Sequence, residues 1–222
     1  MKKILVVGGD ASVATHILSE ARQRGFDITA TSRNSSIKHD EDISWLTLDL
    51  ANEQSISKFF LSMHKVEFDL IFFLIGSTSL DSNDLGRYLE IHFKSVILTL
   101  IRLMTLLREE SDSILMFLSS RSALHPSRDV FYGAVKAGIN SAVRSMTIMA
   151  HSNQKLVVVA PGLVRGTTMY EAMPSVIRDG HEERSGHSLL DGPHLAREIF
   201  LLLEDWKALT SGEVIELGPV YK

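Results

Sequence analysis

Lys3-Ile4-Leu5-Val6-Val7-Gly8-Gly9-Asp10-Ala11-Ser12-Val13-Ala14 is the stretch on which the fold turns. Its apolar run Ile4 to Val7 is the length of a buried strand and stops at two glycines. From Ser12 to Arg24 the apolar residues then recur at helical spacing. A strand that breaks at glycine and passes straight into a helix opens a βαβ unit. Its turn is where backbone N–H groups and the positive helix end can meet a phosphate. The residues placed to do this are Gly8, Asp10, Ser12, Val13 and Ala14.

The same alternation continues along the chain. Strands are expected at Asp27 to Thr31, Trp45 to Leu48, Leu70 to Ile75, Ile114 to Leu118, Leu156 to Val159 and Val214 to Leu217. Helices are expected over Ser12 to Arg24, Glu53 to His64, Leu85 to Leu107, Val130 to Ala150 and Pro193 to Leu203. Leu70 to Ile75 and Leu156 to Val159 are apolar without alternation, as in strands buried on both faces. The fold class is α/β: a doubly wound, parallel, seven-stranded sheet with helices on both faces, forming one domain over 1–222. Two stretches fit neither element. Asn34 to Ser44 reads as a surface loop, and Thr167 to Gly192 is long enough for a substrate lid.

Composition narrows the partners. The 23 basic and 27 acidic residues leave a net charge of −4, which favours neither nucleic acid nor an anionic membrane surface. Without cysteine, thiol catalysis, disulfides and thiolate metal sites are excluded. The N-terminal apolar run is too short for a secretory signal, and Ser95 to Leu107, interrupted by Arg102, is too short for a membrane span. The expected location is cytoplasmic.

Two further positions bear on a dinucleotide. The second strand ends Thr31-Ser32-Arg33-Asn34, with no carboxylate to hold a ribose 2′-hydroxyl and with an arginine able to pair with a 2′-phosphate. That favours NADP(H) over NAD(H); otherwise Arg33 is a solvated cation. Asp49, after the third strand, either accepts from an adenine amine or caps the next helix.

The chemistry concentrates in Ser119-Ser120-Arg121-Ser122-Ala123-Leu124-His125-Pro126-Ser127-Arg128-Asp129-Val130-Phe131-Tyr132-Gly133-Ala134-Val135-Lys136. Tyr132 and Lys136 stand at i and i+4 on one helix and share a face. A cation beside a phenol favours phenolate and is expected to lower the tyrosine pKa, making it a general acid or base. Ser120, at the end of the fifth strand, is placed to donate to a carbonyl.

With Ser120, Tyr132 and Lys136 in this order, and Pro161-Gly162 after the sixth strand, the chain resembles a short-chain dehydrogenase/reductase, a single-domain Rossmann-fold family, over essentially its whole length. The resemblance implies that Ser120, Tyr132 and Lys136 are the catalytic triad and that Pro161 and Gly162 lie beside a nicotinamide. It implies that Thr167 or Thr168 touches the carboxamide, and that the Tyr132 to Ala150 helix builds a homodimer or homotetramer interface. Three departures stand out. Ser12 and Ala14 replace two of three loop glycines. Phe73-Leu74-Ile75-Gly76 keeps only Gly76 of the family's Asn-Asn-Ala-Gly segment. His92 stands where a helix asparagine usually completes a tetrad.

The expected activity is NADP(H)-dependent interconversion of a small-molecule carbonyl and an alcohol. A catalytically silent dinucleotide-binding or interaction protein is the alternative, and a sugar epimerase or dehydratase a further one. His181, His187, Asp191 and His194 are spaced for neither one helical face nor a tight ligand pair, so no metal is expected. The lid mixes Met169, Tyr170, Met173, Val176 and Ile177 with charged residues. Arg165, Arg178 or Arg184 could meet an anionic group there, and Arg121 and His125 could line the pocket.

Overall fold

Every sheet pairing is parallel, so each strand must be followed by a crossover that returns to the same end of the sheet. The computed structural model describes residues 2–34, 40–76 and 84–219. Part of the expected loop Asn34 to Ser44 lies outside these residues.

In chain order the elements are β1 (Lys3–Val7), α1 (Ala14–Gln23), β2 (Asp27–Ser32), β3 (Ile43–Thr47), α2 (Glu53–Ser62) and β4 (Leu70–Phe73). They continue with α3 (Leu85–Leu89), α4 (Ser95–Met104), β5 (Ser113–Leu118), α5 (Val130–Met146) and β6 (Gln154–Pro161). The last are α6 (Thr168–Glu171), α7 (Ser175–Arg184), α8 (Gly192–Glu204) and β7 (Val214–Leu217). The strands lie in the order β3-β2-β1-β4-β5-β6-β7. Chain direction across the sheet reverses between β1 and β4, the crevice at which doubly wound folds bind ligands.

The apolar runs explain the layers. Side chains alternate across each strand, so β1 sends Leu5 and Val7 to one face, and Ile4 and Val6 to the other. On the first face they pack with Phe59 and Phe60 of α2, Leu100 and Leu103 of α4, and Ile139 and Val143 of α5. On the second they meet Ile17 of α1 and Leu195, Ile199 and Phe200 of α8. Phe72 is fully buried against Phe200.

The expected long helix Leu85 to Leu107 is divided. Glu90–Lys94 forms a π-helical turn between α3 and α4. The extra residue per turn rotates the helix so that Tyr88 before it and Val96, Leu100 and Leu103 after it are all buried. The expected lid carries two helices, α6 and α7. The helix following Asp49 is capped by Asn52, whose side chain accepts from the Gln54 and Ser55 N–H groups, while the Asp49 side chain accepts from the Ala51 N–H.

Candidate active site

In register, Val7 of β1 stands beside Phe73 of β4, Phe73 beside Phe117 of β5, Leu118 beside Val159 of β6, and Pro161 beside Leu217 of β7. The segments that follow these residues therefore share one rim of the sheet. This brings Gly8, Gly76, Ser120 and Pro161-Gly162, which are far apart in sequence, to the carboxyl ends of neighbouring strands.

At the β1 turn Gly8 has a φ of 88°, a left-handed conformation that glycine adopts without penalty. Its N–H donates to the Thr31 hydroxyl at 3.0 Å, and the Gly9 N–H donates to the Thr31 carbonyl at 2.8 Å. Gly9 answers a different need: a Cβ there would lie 2.7 Å from the Trp45 ring. The first turn of α1 has no side-chain cap at Val13. Among the described residues the N–H groups of Ser12 and Val13 have no acceptor. Open donors at the positive end of a ten-residue helix, framed by Gly8, Gly9, Ala11 and the buried Ala14, suit a pyrophosphate. The residues thus fit a dinucleotide despite the lost glycines. A cavity of about 550 Å³ opens along this loop and the outer side of α1, away from Tyr132. The Ser12 hydroxyl accepts from the Thr168 N–H at 3.2 Å, which ties the loop to the first residue of α6.

Tyr132 and Lys136 are both buried, in the first half of α5. Asp129 caps that helix by accepting from the Tyr132 N–H at 2.9 Å. Ser120 starts a 3₁₀ turn, Arg121–Ala123, its hydroxyl accepts from the Ser122 N–H, and its side chain acts on the Tyr132 phenol, favouring loss of that proton. Gly133 permits this closeness, because a Cβ on it would meet the Ser122 carbonyl oxygen at 2.6 Å. The Lys136 ammonium donates to the Leu118 carbonyl at 2.8 Å and lies 5.8 Å from the Tyr132 ring centroid. Any side chain at Gly76 would collide with the Lys136 Nζ.

Burial dominates the electrostatics. The phenol of Tyr132 is pushed up to about 12, with the Ser120 hydrogen bond only partly opposing the shift. The Lys136 ammonium is driven down to about 7 by its burial. The sequence led to the opposite expectation for Tyr132, because spacing brings the two groups to one helical face but says nothing of desolvation. At neutral pH the tyrosine therefore holds its proton and the lysine is near half-charged.

His92 lies in the π-helical turn, its ring 4.7 Å from that of Tyr88. Partial burial lowers its pKa, and the nearby positive charges of Lys136 and Arg33 lower it further, so it is neutral at neutral pH. Its Nδ1 is buried without a partner among the described residues. Gly162 donates its N–H to the Leu217 carbonyl, and a Cβ on it would press on Arg121. Thr167 caps α6 and its hydroxyl donates to the Val164 carbonyl at 2.7 Å. Asp191 caps α8 and pairs with His194.

Three contributors were not picked out from the sequence. Asn140 binds the Ser119 hydroxyl at 2.6 Å and pins the end of β5 to α5. The spacing Tyr132, Lys136, Asn140, with four residues per step, is the signal that could have found it. Glu216 of β7 holds the Arg121 guanidinium at 2.9 Å and the His125 ring at 2.8 Å. Thr31 sets the β1 turn. The last two depend on contacts between distant segments.

A family model described as enoyl-(acyl carrier protein) reductase matches residues 7–217. A search of curated proteins finds no match. Among solved structures, a short chain dehydrogenase family protein from Francisella tularensis subsp. tularensis SCHU S4 superposes with a TM-score of 0.78 at 18% identity. That match covers 98% of this chain and 97% of the other. A short chain dehydrogenase from Leptospira borgpetersenii serovar Hardjo-bovis, solved with bound NAD+, gives 0.81 at 14% identity, covering 98% and 91%. ElxO, solved with NADP bound, gives 0.76 at 17% identity, covering 97% of each chain.

Proposed function

Because the chain belongs to the short-chain dehydrogenase/reductase family, we propose that this oxidoreductase interconverts a ketone or aldehyde and its alcohol, with NADP(H) as the preferred dinucleotide. The observation that carries the reading is the cluster of half-buried Ser120 with buried Tyr132 and Lys136 at the rim where the helix-end donors also lie. Gly8, Asp10, Ser12, Val13 and Ala14 would hold the pyrophosphate half of the dinucleotide, with Arg33 at the 2′-phosphate and Asp49 at the adenine. Gly76, Pro161, Gly162 and Thr167 would border the nicotinamide half. When bound, the dinucleotide supplies the hydride.

The protein's own part is proton handling. Ser120 donates to the carbonyl oxygen and fixes its position. Tyr132, which keeps its proton at neutral pH, delivers it to that oxygen as negative charge develops there. Lys136 protonates readily near neutrality, and its ammonium stabilises the phenolate left behind. In the alcohol-oxidising direction the roles reverse. His92 is the neutral ring closest in role to a tetrad member. The 167–192 segment, with α6 and α7, acts as the substrate lid. Exposed Leu98 and Ile101 of α4 offer apolar surface for the homodimer or homotetramer. Among the described residues no helix is long and apolar enough to cross a membrane.

The test is Tyr132→Phe. It should bind NADPH as the parent does while losing carbonyl reduction by about a thousandfold or more, in line with removal of a general acid. The panel should include ketones, aldehydes and an enoyl thioester, since the family model's description names the last class. Full turnover by Tyr132→Phe would end the proposed mechanism. Nucleotide binding without turnover of any substrate would favour the catalytically silent alternative.

A further inference from the structure

A carboxylate on the edge strand β7 reaches the turn that carries Ser120. Pairing sets Ala160 of β6 beside Glu216 of β7, so Glu216 stands level with the end of β6. Its Oε2 accepts from the Arg121 Nε at 2.9 Å and from the His125 Nε2 at 2.8 Å. Backbone bonds close the turn between those two residues. The Ala123 N–H donates to the Ser120 carbonyl, and the Leu124 and His125 N–H groups donate to the Arg121 carbonyl. Glu216 therefore holds both ends of the segment that begins at Ser120. The Arg121 guanidinium also donates to the Pro219 carbonyl. The same side chain borders the turn after β6, where a Cβ on Gly162 would stand 3.3 Å from the Arg121 Cδ. On the other side of the site, α5 secures the chain as far as Ser119: Lys136 binds the Leu118 carbonyl and Asn140 the Ser119 hydroxyl.

We infer that Glu216 is a positioning residue for the carbonyl chemistry: through Arg121 and His125 it sets where the Ser120 hydroxyl stands relative to Tyr132 and to the Pro161-Gly162 turn. The inference rests on the oxidoreductase reading above. Reduction needs the carbonyl oxygen at Ser120 and the carbonyl carbon facing the dinucleotide at the same moment, and a misplacement of about 1 Å can cost about a hundredfold in rate. Arg121 connects the two requirements, since it adjoins Ser120 in the chain and Gly162 in space. Glu216 takes no part in proton transfer. Hydrogen bonds from His125 and Arg121 keep its carboxyl below the usual range, so it is ionised at neutral pH and the Arg121 cation, buried beside it, is balanced.

The experiment measures kcat and KM for a carbonyl that the parent reduces, together with NADPH dissociation constants, for Glu216→Ala, Glu216→Asp and Glu216→Gln, each alone and combined with Ser120→Ala. Glu216→Ala should lower kcat by about tenfold to a hundredfold while changing NADPH affinity by about twofold or less. Glu216→Asp keeps the charge but draws it back by one methylene, and should lower kcat in the same sense; it carries the comparison if Glu216→Ala does not fold. Glu216→Gln keeps the reach and one acceptor oxygen, and should recover most of the rate. With Ser120→Ala already present, Glu216→Ala or Glu216→Asp should cost about twofold or less, because the group being positioned is gone. Amide exchange at Ser122 to His125 should quicken in both variants. A role in stability alone predicts the same loss with and without Ser120, and that result would overturn the inference, as would an unchanged kcat. The oxidoreductase reading survives either result, since Tyr132→Phe judges it separately. If the parent reduces no carbonyl, that reading fails and takes the inference with it.

Discussion

Among the described residues Lys136 has no carboxylate partner; it is buried against Phe117 and held by a backbone carbonyl. Such a group titrates differently in the folded and unfolded chain. Its folded value of about 7 lies below its ordinary 10.5. Between those values the unfolded chain binds the proton and the folded chain does not, so stability rises with pH across that window. Below about 7 both states are protonated and the burial cost is complete. Lys136→Met removes this dependence. Between about pH 6 and about pH 9 the unfolding free energy from denaturant titrations should rise for the parent relative to the variant, by up to about 1.4 kcal/mol per pH unit. Equal slopes in both proteins would show that the ammonium is not desolvated. Tyr132 titrates above this range, at about 12, and leaves the comparison clean. The partnership of Tyr132 and Lys136 was legible in the sequence because a spacing of four fixes a helical face. Its electrostatic sense was not, because burial is set by Phe117, Gly76 and the turn after Ser120, which come from other parts of the chain.

Among the elements, the 167–192 segment proposed as a lid is the one whose sequence was hardest to read, and the structure gives it definite attachments. Arg165 binds both carboxylate oxygens of Glu182, at 2.7 and 2.8 Å, and the Tyr170 hydroxyl donates to the same group at 3.0 Å. Thus α7 is fastened to the segment after β6, while Thr168 fastens α6 to Ser12 of the phosphate loop. Arg165 was a candidate for an anionic substrate group; here its charge is already committed to Glu182. Arg165 also holds the Glu182 carboxyl below its usual range. That stabilisation is present above about pH 4.5 and is lost as pH falls through the lowered value. Glu182→Ala should speed backbone amide exchange throughout α7 while costing the whole fold about 1 kcal/mol or less, since the pair is partly exposed. Unchanged exchange in α7 would show that other contacts hold the helix. The glycines of α5 also prove to have internal tasks. Gly133 faces the Ser122 carbonyl, and Gly138 faces Phe93, which would lie 2.7 Å from an added Cβ.

For the molecule as a whole, the seven strands were legible from short apolar runs, with ends displaced by at most two residues. The core layering followed from alternation within them. Phe72 tests that layering: it is fully buried on the face covered by α1 and α8. Phe72→Ala should cost about 3 to 5 kcal/mol in urea unfolding, and a loss below about 1 kcal/mol would contradict a close-packed second face. The π-helical turn was not legible, because a one-residue shift leaves apolar spacing that reads as one continuous helix. Nor were the partners of Glu216, which are set by strand order and not by neighbours in sequence. Glu216 has a consequence for how the protein is made. During synthesis the Ser120 turn and α5 leave the ribosome well before β7. Until β7 pairs with β6, Arg121 lacks the Glu216 carboxylate and Gly162 lacks the Leu217 carbonyl. A nascent chain can thus gather most of its sheet early, yet the turn after Ser120 gains its Glu216 clamp only when the last strand arrives.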